Sequence, residues 1–311
     1  MKFDLIGDIH GEHAKLVALL QLLGYREQEG AWRHRARRAV FVGDLIDRGP
    51  QQVATVTLVR AMVEAGAALC ILGNHEFNAI AWTTPDLDLP GEFLRPHGKP
   101  GNLAQHQAFL QEVEGTPQQH EEIIGWFKTL PLWLDLGGLR VVHACWHEES
   151  MNLLRPLLGP NHTLTAEAIV LGSRKAHPVF EAIEVVCKGP EVPLPPGISF
   201  QDKEGKIRRE VRVRWWEPDL STYRKAAIGP PGDMELIPDV PMPEGWKGHA
   251  YAGPPVIFGH YWFSGTPKVI STRFACLDYS VAKGGPLVAY RWDGETELND
   301  AKLMWVDRPD R

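Results

Sequence analysis

Apolar and polar positions follow two alternating rhythms over the first 80 residues. Three short apolar runs, KFDLI, AVFV and ALCIL, each close on a glycine and a polar cluster: GDIHG, GDLIDRG and GNHE. Leu69, Cys70, Ile71 and Leu72 predict a buried strand that Gly73 ends, with Asn74, His75 and Glu76 following at once. Between these runs the spacing is helical. Leu16, Leu19, Leu20 and Leu23 share one face of a helix over 12–23, and Val53, Val56, Met62 and Val63 form a weaker stripe over 51–64 that Gly66 caps. Strand, helix, strand, helix, strand predicts parallel βαβ units. The polar endings are therefore expected together at the carboxyl edge of one sheet, where open α/β folds place their sites.

Further along, residues 83–102 are rich in proline, glycine and aspartate and predict a surface loop. HEEIIGWFKTL predicts a helix that Pro131 stops, and GLRVVHACW a strand that ends at His143. From 147 to 254 the pattern changes, with proline- and glycine-dense stretches around KIRREVRVRWW, a strand with Arg212 and Arg214 on one face and Val211 and Val213 on the other. Strands of the first type return in PPVIFGHYW, which ends at Gly259-His260, and VISTRFACLDYS and GGPLVAYRW predict a terminal pair of sheet strands. The expectation is a single α/β domain over 1–311 with 147–254 as an inserted cap.

Composition narrows the function classes. Apolar residues make up 44% of the 311-residue chain, enough for a large core, and the formal charge of −6 disfavours a general nucleic-acid binder. Cys70, Cys145, Cys187 and Cys276 form no C-x-x-C pair, so zinc-ribbon and thioredoxin-like readings have no support. With no apolar stretch long enough to span a bilayer and no signal-peptide pattern at the N-terminus, a cytoplasmic protein that meets no membrane is expected. The basic run Arg33–Arg38 is expected to be a solvated connection.

Five apolar strands end in Asp8-Ile9-His10, Asp44, Asn74-His75, His143 and His260. A lone Gly-Asp at a strand end is usually a turn, a lone histidine on an apolar run is usually structural, and Asp47 with Arg48 alone is a surface ion pair. Repeated at five strand ends, ligand-type residues are no longer explained by turns. Carboxylates and imidazoles together suit Mn²⁺, Zn²⁺ and iron. A carboxylate bridging two such ions, about 4 Å apart, clamps the attacking and leaving oxygens of a displacement at phosphorus.

In GDIHG, GDLIDRG and GNHE, followed by the histidines of VVHA and GH, the chain resembles the phosphoprotein phosphatase branch of the calcineurin-like metallophosphoesterases. That branch includes serine/threonine phosphatases and bacterial diadenosine tetraphosphatases. The resemblance is close over residues 1–82 and 126–146, holds in outline over 255–292, and is lacking over 147–254. It implies an αββα sandwich with two divalent metal ions between its sheets, manganese first and iron or zinc as alternatives. It further implies Asp8 and His10 on the first ion, Asp44 between both, and Asn74, His143 and His260 on the second. Arg48 would grip phosphoryl oxygens, His75 would be the general acid with Asp47 holding its ring, and Glu76 would support the ligands from behind. A metal-bridging hydroxide would attack in line.

The fourth motif reads His143-Ala144-Cys145 where the family has HAG or HGG. For the further phosphate-binding arginine common in the family, Arg155, Arg174 and Arg214 are the candidates. The implied reaction is phosphomonoester hydrolysis, with phosphoserine or phosphothreonine proteins as the first expectation and bis(5'-nucleosyl)-tetraphosphate cleavage as the alternative. A catalytically dead phosphoryl-binding protein would have lost a motif residue, and none is missing. The expected partner is a phosphorylated substrate, phosphoprotein or nucleotide, with Trp215 and Trp216 in the cap available to stack a base or pack a peptide. His147, His162, His177, His249, Glu148 and Glu149 receive no role.

Overall fold

A computed structural model describes residues 1–201, 207–229, 234–246, 248 and 251–307. The chain divides into two compact units, Met1–Cys187 with Pro254–Arg311, and Lys188–Gly253. His249 lies outside the described residues.

The sheets of the larger unit are built from β1 (Phe3–Ile6), β2 (Arg38–Phe41), β3 (Ala68–Cys70), β4 (Trp133–Asp135), β5 (Arg140–Val142), β6 (Val256–Phe258), β7 (Phe274–Cys276), β8 (Leu287–Trp292) and β9 (Leu303–Val306). Among the described residues one sheet has the order β9-β8-β1-β2-β3 and the other β7-β6-β5-β4. Strands β1, β2 and β3 run parallel, as the βαβ pattern requires, while β8 and β9 join antiparallel. In the second sheet β6 is parallel to both β5 and β7. The sheets share one apolar core: Leu5, Val40 and Val288 of the first pack in a cluster with Val141, Ile257 and Ala275 of the second. Burying both faces of short Val/Ile/Leu strands is what such runs demand.

Helices α1 (His13–Leu23) and α2 (Gln52–Glu64) pack against the first sheet. Leu16, Leu19, Leu20 and Leu23 are buried as the leucine face predicts. The buried face of α2 is instead Gln52, Thr55, Val56, Val59 and Met62, so Val53 and Val63 lie at its margin. Gly66, at φ 69°, closes the helix, with Ala67 donating back to the Met62 carbonyl at 2.9 Å. Then come α3 (Asn74–Thr83), α4 (Pro100–Val113) and α5 (Pro117–Phe127).

Three sequence expectations change. The polar strand ends do not meet at one sheet: Asp8, Asp44 and Asn74 follow strands of the first, His143 and His260 strands of the second. The two C-terminal segments are not a pair, since β7 joins the second sheet beside β6 and β8 the first beside β1. Hydrophobic period identifies a strand without naming its partner. The basic run is more than a solvated connection, because Arg37 donates to the buried Asp4 at 2.8 Å and to the carbonyls of Phe3 and Trp292.

The smaller unit has its own apolar cluster, including Val192, Val211, Val213, Leu220 and Tyr223. Val211 and Val213 face inward, and Arg212 pairs with Glu191 at 2.8 Å. Among the described residues no helix is long and apolar enough to cross a membrane. All four cysteines are buried free thiols.

Candidate active site

The ligand-type residues sit on tight turns that the backbone holds in rare conformations. His10, Asp44, Asp47, Arg48 and His260 have φ between 48° and 80°, a region that non-glycine residues enter at a cost and that clusters at functional sites. The turn after β1 is bonded to the turn after β2: His10 N donates to the Asp44 carbonyl at 2.9 Å, and Gly49 N to the His10 carbonyl at 2.8 Å. Glu76 clamps a third turn to these. Its carboxylate accepts from the backbone of Asp44 (2.9 Å), Leu45 (2.8 Å) and Gly73 (2.9 Å). A Cβ on Gly73 would lie 2.3 Å from the Asp44 carboxylate, and one on Gly259 would lie 2.0 Å from that of Asp8, so both glycines allow a close approach that no other residue permits.

Asp44 is the centre of the arrangement. Its Oδ2 lies 3.6 Å from His10 Nε2 and 3.7 Å from His75 Nε2, and its Oδ1 lies 3.3 Å from His143 Nε2. Two sets of donor atoms gather within 4.8 Å of one another, His10 with Asp44 and His75, and Asp44 with His143 and His260. Asn74 Oδ1 is 3.1 Å from His143 Nε2, and the Asp8 carboxylate accepts from the backbone of His260 at 3.1 Å. The structure thus brings together every residue of the expected constellation, and adds His75 to the donors around Asp44.

The chemistry of these donors fits divalent cations. His10 Nδ1 faces the Ile46 carbonyl at 2.9 Å and His143 Nδ1 the Val42 carbonyl at 2.7 Å. Because a carbonyl only accepts, each Nδ1 carries the hydrogen, and each Nε2 is turned inward as a ligand atom, the usual arrangement of metal-binding histidines. Burial and the Arg48 guanidinium drive the His10 pKa down to about 3, so its ring is neutral. Burial, with the carboxylates of Asp278 and Asp44 nearby, pushes Asp8 well above the ordinary range. Burial lowers His143, but the Asp44 and Asp8 carboxylates outweigh it and lift the pKa to about 10. Crowded buried carboxylates that trap protons call for compensating positive charge. Arg48 supplies some of it, its guanidinium lying 3.0 Å from His10 Nε2 and 3.4 Å from His75 Nε2.

His75 is held through its other nitrogen. Nδ1 is 2.5 Å from Asp47 Oδ2, and His106 Nδ1 is 2.9 Å from Asp47 Oδ1. Burial raises Asp47, yet hydrogen bonds from His106 and His75 prevail and bring its pKa down to about 2.

Three outcomes depart from the motifs. Arg155 lies by Glu148 and the Trp133 ring, Arg174 grips Asp86 and Asp88, and Arg214 donates to the carbonyls of Arg224 and Lys225, so each is engaged elsewhere. His106 bonds Asp47 and Gln105 meets His75, both from α4, while Arg95, in the segment before it, donates to Gln105; 83–102 reads only as a loop in the sequence. Asp278 accepts from Trp262 N at 2.6 Å and Ser280 N at 2.9 Å, steadying the segment after His260. Its signal was present, because FACLD is one more apolar run closing on a carboxylate.

Residues 1–167 match the profile of the calcineurin-like phosphoesterases. The chain belongs to that family. Relatives within it include the asymmetrical bis(5'-nucleosyl)-tetraphosphatase PrpE of Bacillus subtilis, 42% identical over 148 residues, 46% of this chain and 57% of that one. The symmetrical bis(5'-nucleosyl)-tetraphosphatase of Methylococcus capsulatus is 27% identical over 303 residues, 94% of this chain and 92% of that one. The chain spans between about a third and somewhat over half of the length of the PrpE relatives it matches. A serine/threonine phosphatase of Saccharomyces cerevisiae shares the fold, with a TM-score of 0.50 at 14% identity over 100% of this chain and 82% of that one. The two-sheet sandwich described above is therefore the metallophosphoesterase fold.

Proposed function

We propose that the chain is a two-metal phosphoesterase whose preferred substrate is a dinucleoside polyphosphate, cleaved at a phosphoanhydride bond. The observation that carries the chemistry is Asp44, shared between two sets of histidine donors, with the Asp47–His75 pair beside it. Asp8, His10 and Asp44 would hold one cation and Asp44, Asn74, His143 and His260 the other. Bound there, the ions would supply Lewis-acid stabilisation of the phosphoryl oxygens and activation of a water.

The chain's own groups do the rest. Arg48 presents two guanidinium nitrogens beside His10 and His75, a fork matched to two phosphoryl oxygens. Asp47 stays ionised, accepts from His75 Nδ1 and so leaves Nε2 as the atom that hands a proton to the leaving oxygen.

Relatives named for dinucleoside tetraphosphate cleavage favour the anhydride over a phosphoprotein, because one of them aligns along nearly the whole chain. The test is phosphate or nucleotide release by the Mn²⁺-loaded protein from diadenosine tetraphosphate and from a phosphothreonine peptide, with a chelator control. Faster turnover of the dinucleotide supports the proposal. Faster turnover of the peptide replaces it with protein phosphatase activity, the second reading that the shared fold allows.

A further inference from the structure

Arg95 is an arginine with a rare environment. Its Nε is sealed from solvent without a hydrogen-bond partner, and its NH2 group donates to Oε1 of Gln105. No carboxylate among the described residues comes within ion-pair distance of it. The carboxylates whose field it feels are Asp47, already held by two histidines, and Glu184. Arg95 is only partly exposed, and a guanidinium largely withdrawn from water without an ion-pair partner is costly, a charge retained where an anion arrives to meet it.

The segment is built to hold it in place. Arg95 N donates to the Ala81 carbonyl at 3.0 Å, and Leu94 N to the Thr84 carbonyl at 2.9 Å, tying the segment to the end of α3. On either side of Arg95, Phe93 and His97 stack at 4.2 Å, and His97 stacks in turn on Trp82 at 3.8 Å. Gln105 carries the connection to the site. Arg95 and Asn78 both donate to its Oε1, which turns its NH2 toward His75 Nε2 at 3.3 Å. Nε2 thus faces the Gln105 amide as an acceptor; once the ring is protonated, a leaving oxygen that takes the Nε2 proton takes the place of Gln105, the group to which Arg95 is bonded.

We infer that Arg95, positioned through Gln105, receives a negatively charged leaving group, the phosphate chain of the departing nucleotide, and so selects anhydrides over simple phosphomonoesters. The inference rests on the reaction proposed above. A seryl or threonyl leaving group carries no charge at this position and leaves Arg95 unmet. A departing nucleoside di- or triphosphate brings oxygens that match the fork of a guanidinium.

The experiment compares wild type, Arg95→Ala and Arg95→Lys, all loaded with Mn²⁺, on diadenosine tetraphosphate and on p-nitrophenyl phosphate, with ATP as a product inhibitor. Metal content and melting temperature of each variant identify misfolding. For Arg95→Ala, kcat/KM on the dinucleotide should fall about 10- to 100-fold, as for loss of a charge-assisted bond, and ATP inhibition should weaken in step. The loss on p-nitrophenyl phosphate should be smaller by at least about tenfold, and Arg95→Lys should regain part of the dinucleotide rate. Equal losses on both substrates, or no loss on the dinucleotide, overturn the inference. If wild type cleaves p-nitrophenyl phosphate but not the dinucleotide, the proposed substrate falls, and ATP inhibition decides for Arg95 alone. Inhibition unchanged by Arg95→Ala then overturns it.

Discussion

His106 and His75 bind opposite oxygens of one carboxylate, Asp47, through their Nδ1 atoms at 2.9 and 2.5 Å. The ring that faces the ligand cluster is thus oriented by an aspartate that is itself oriented by a second, fully buried histidine. This makes His106 a positioning residue. Its replacement by alanine removes one of two donors while the Asp47–His75 contact survives. A fall in kcat of about 3- to 10-fold is expected, the scale of one buried hydrogen bond, with KM and metal content unchanged. A change confined to KM would place His106 in substrate binding instead.

His75 stands both among the donors around Asp44 and on Asp47. As general acid it predicts that His75→Ala lowers kcat by about 10²- to 10⁴-fold while two metal ions per chain remain. The loss should be larger for an alkoxide leaving group, as in a phosphothreonine peptide, than for p-nitrophenol, which leaves readily without a proton. Elemental analysis of the variant decides between roles, because loss of one ion would make His75 a ligand.

Glu76 predicts a stability effect rather than a chemical one. In Glu76→Gln one accepting oxygen becomes a donor that faces a backbone N–H. The cost is about 1–3 kcal/mol of unfolding free energy, read by urea denaturation of the metal-free protein. An unchanged midpoint would mean that the three turns are held together without the clamp.

Asp47 makes acid stability measurable. Its pKa in the folded chain is about 2, below its ordinary 3.8. The folded state therefore prefers the carboxylate, and this preference stabilises the fold above about pH 4, by roughly 2 kcal/mol at about 1.4 kcal/mol per unit. The stabilisation disappears as pH falls through 2. Metal-free wild type should lose its stability advantage over Asp47→Asn across that window, as urea unfolding at successive pH values will show. An advantage that stays constant to pH 2 would separate Asp47 from the acid transition.

The clustering of the metal-ligand-type residues was legible in the sequence because each motif is local. An apolar run of four or five residues predicts a strand, the glycine after it predicts a turn, and the side chains in that turn have nowhere to point but the strand's end. Asp8, His10, Asp44, Asn74, His143 and His260 are all of this kind, and Asp278 follows the same grammar. Arg95, Gln105 and His106 are not. They come from a helix and a proline-rich approach whose polar residues look like any solvated surface, and only folding brings His106 against Asp47, Gln105 against His75 and Arg95 against Gln105.

The sequence by itself determined the strands, the turns and the chemical character of the site, since backbone sterics and the burial of short apolar runs act over a few residues. Tertiary structure decided that the strand ends belong to two sheets. It also decided that Asp8 meets the backbone of His260 across 252 residues of chain, and that Gln105, bonded to Arg95, faces His75. Those outcomes depend on which strands pair and which apolar faces close on each other, choices made by contacts between segments far apart in sequence.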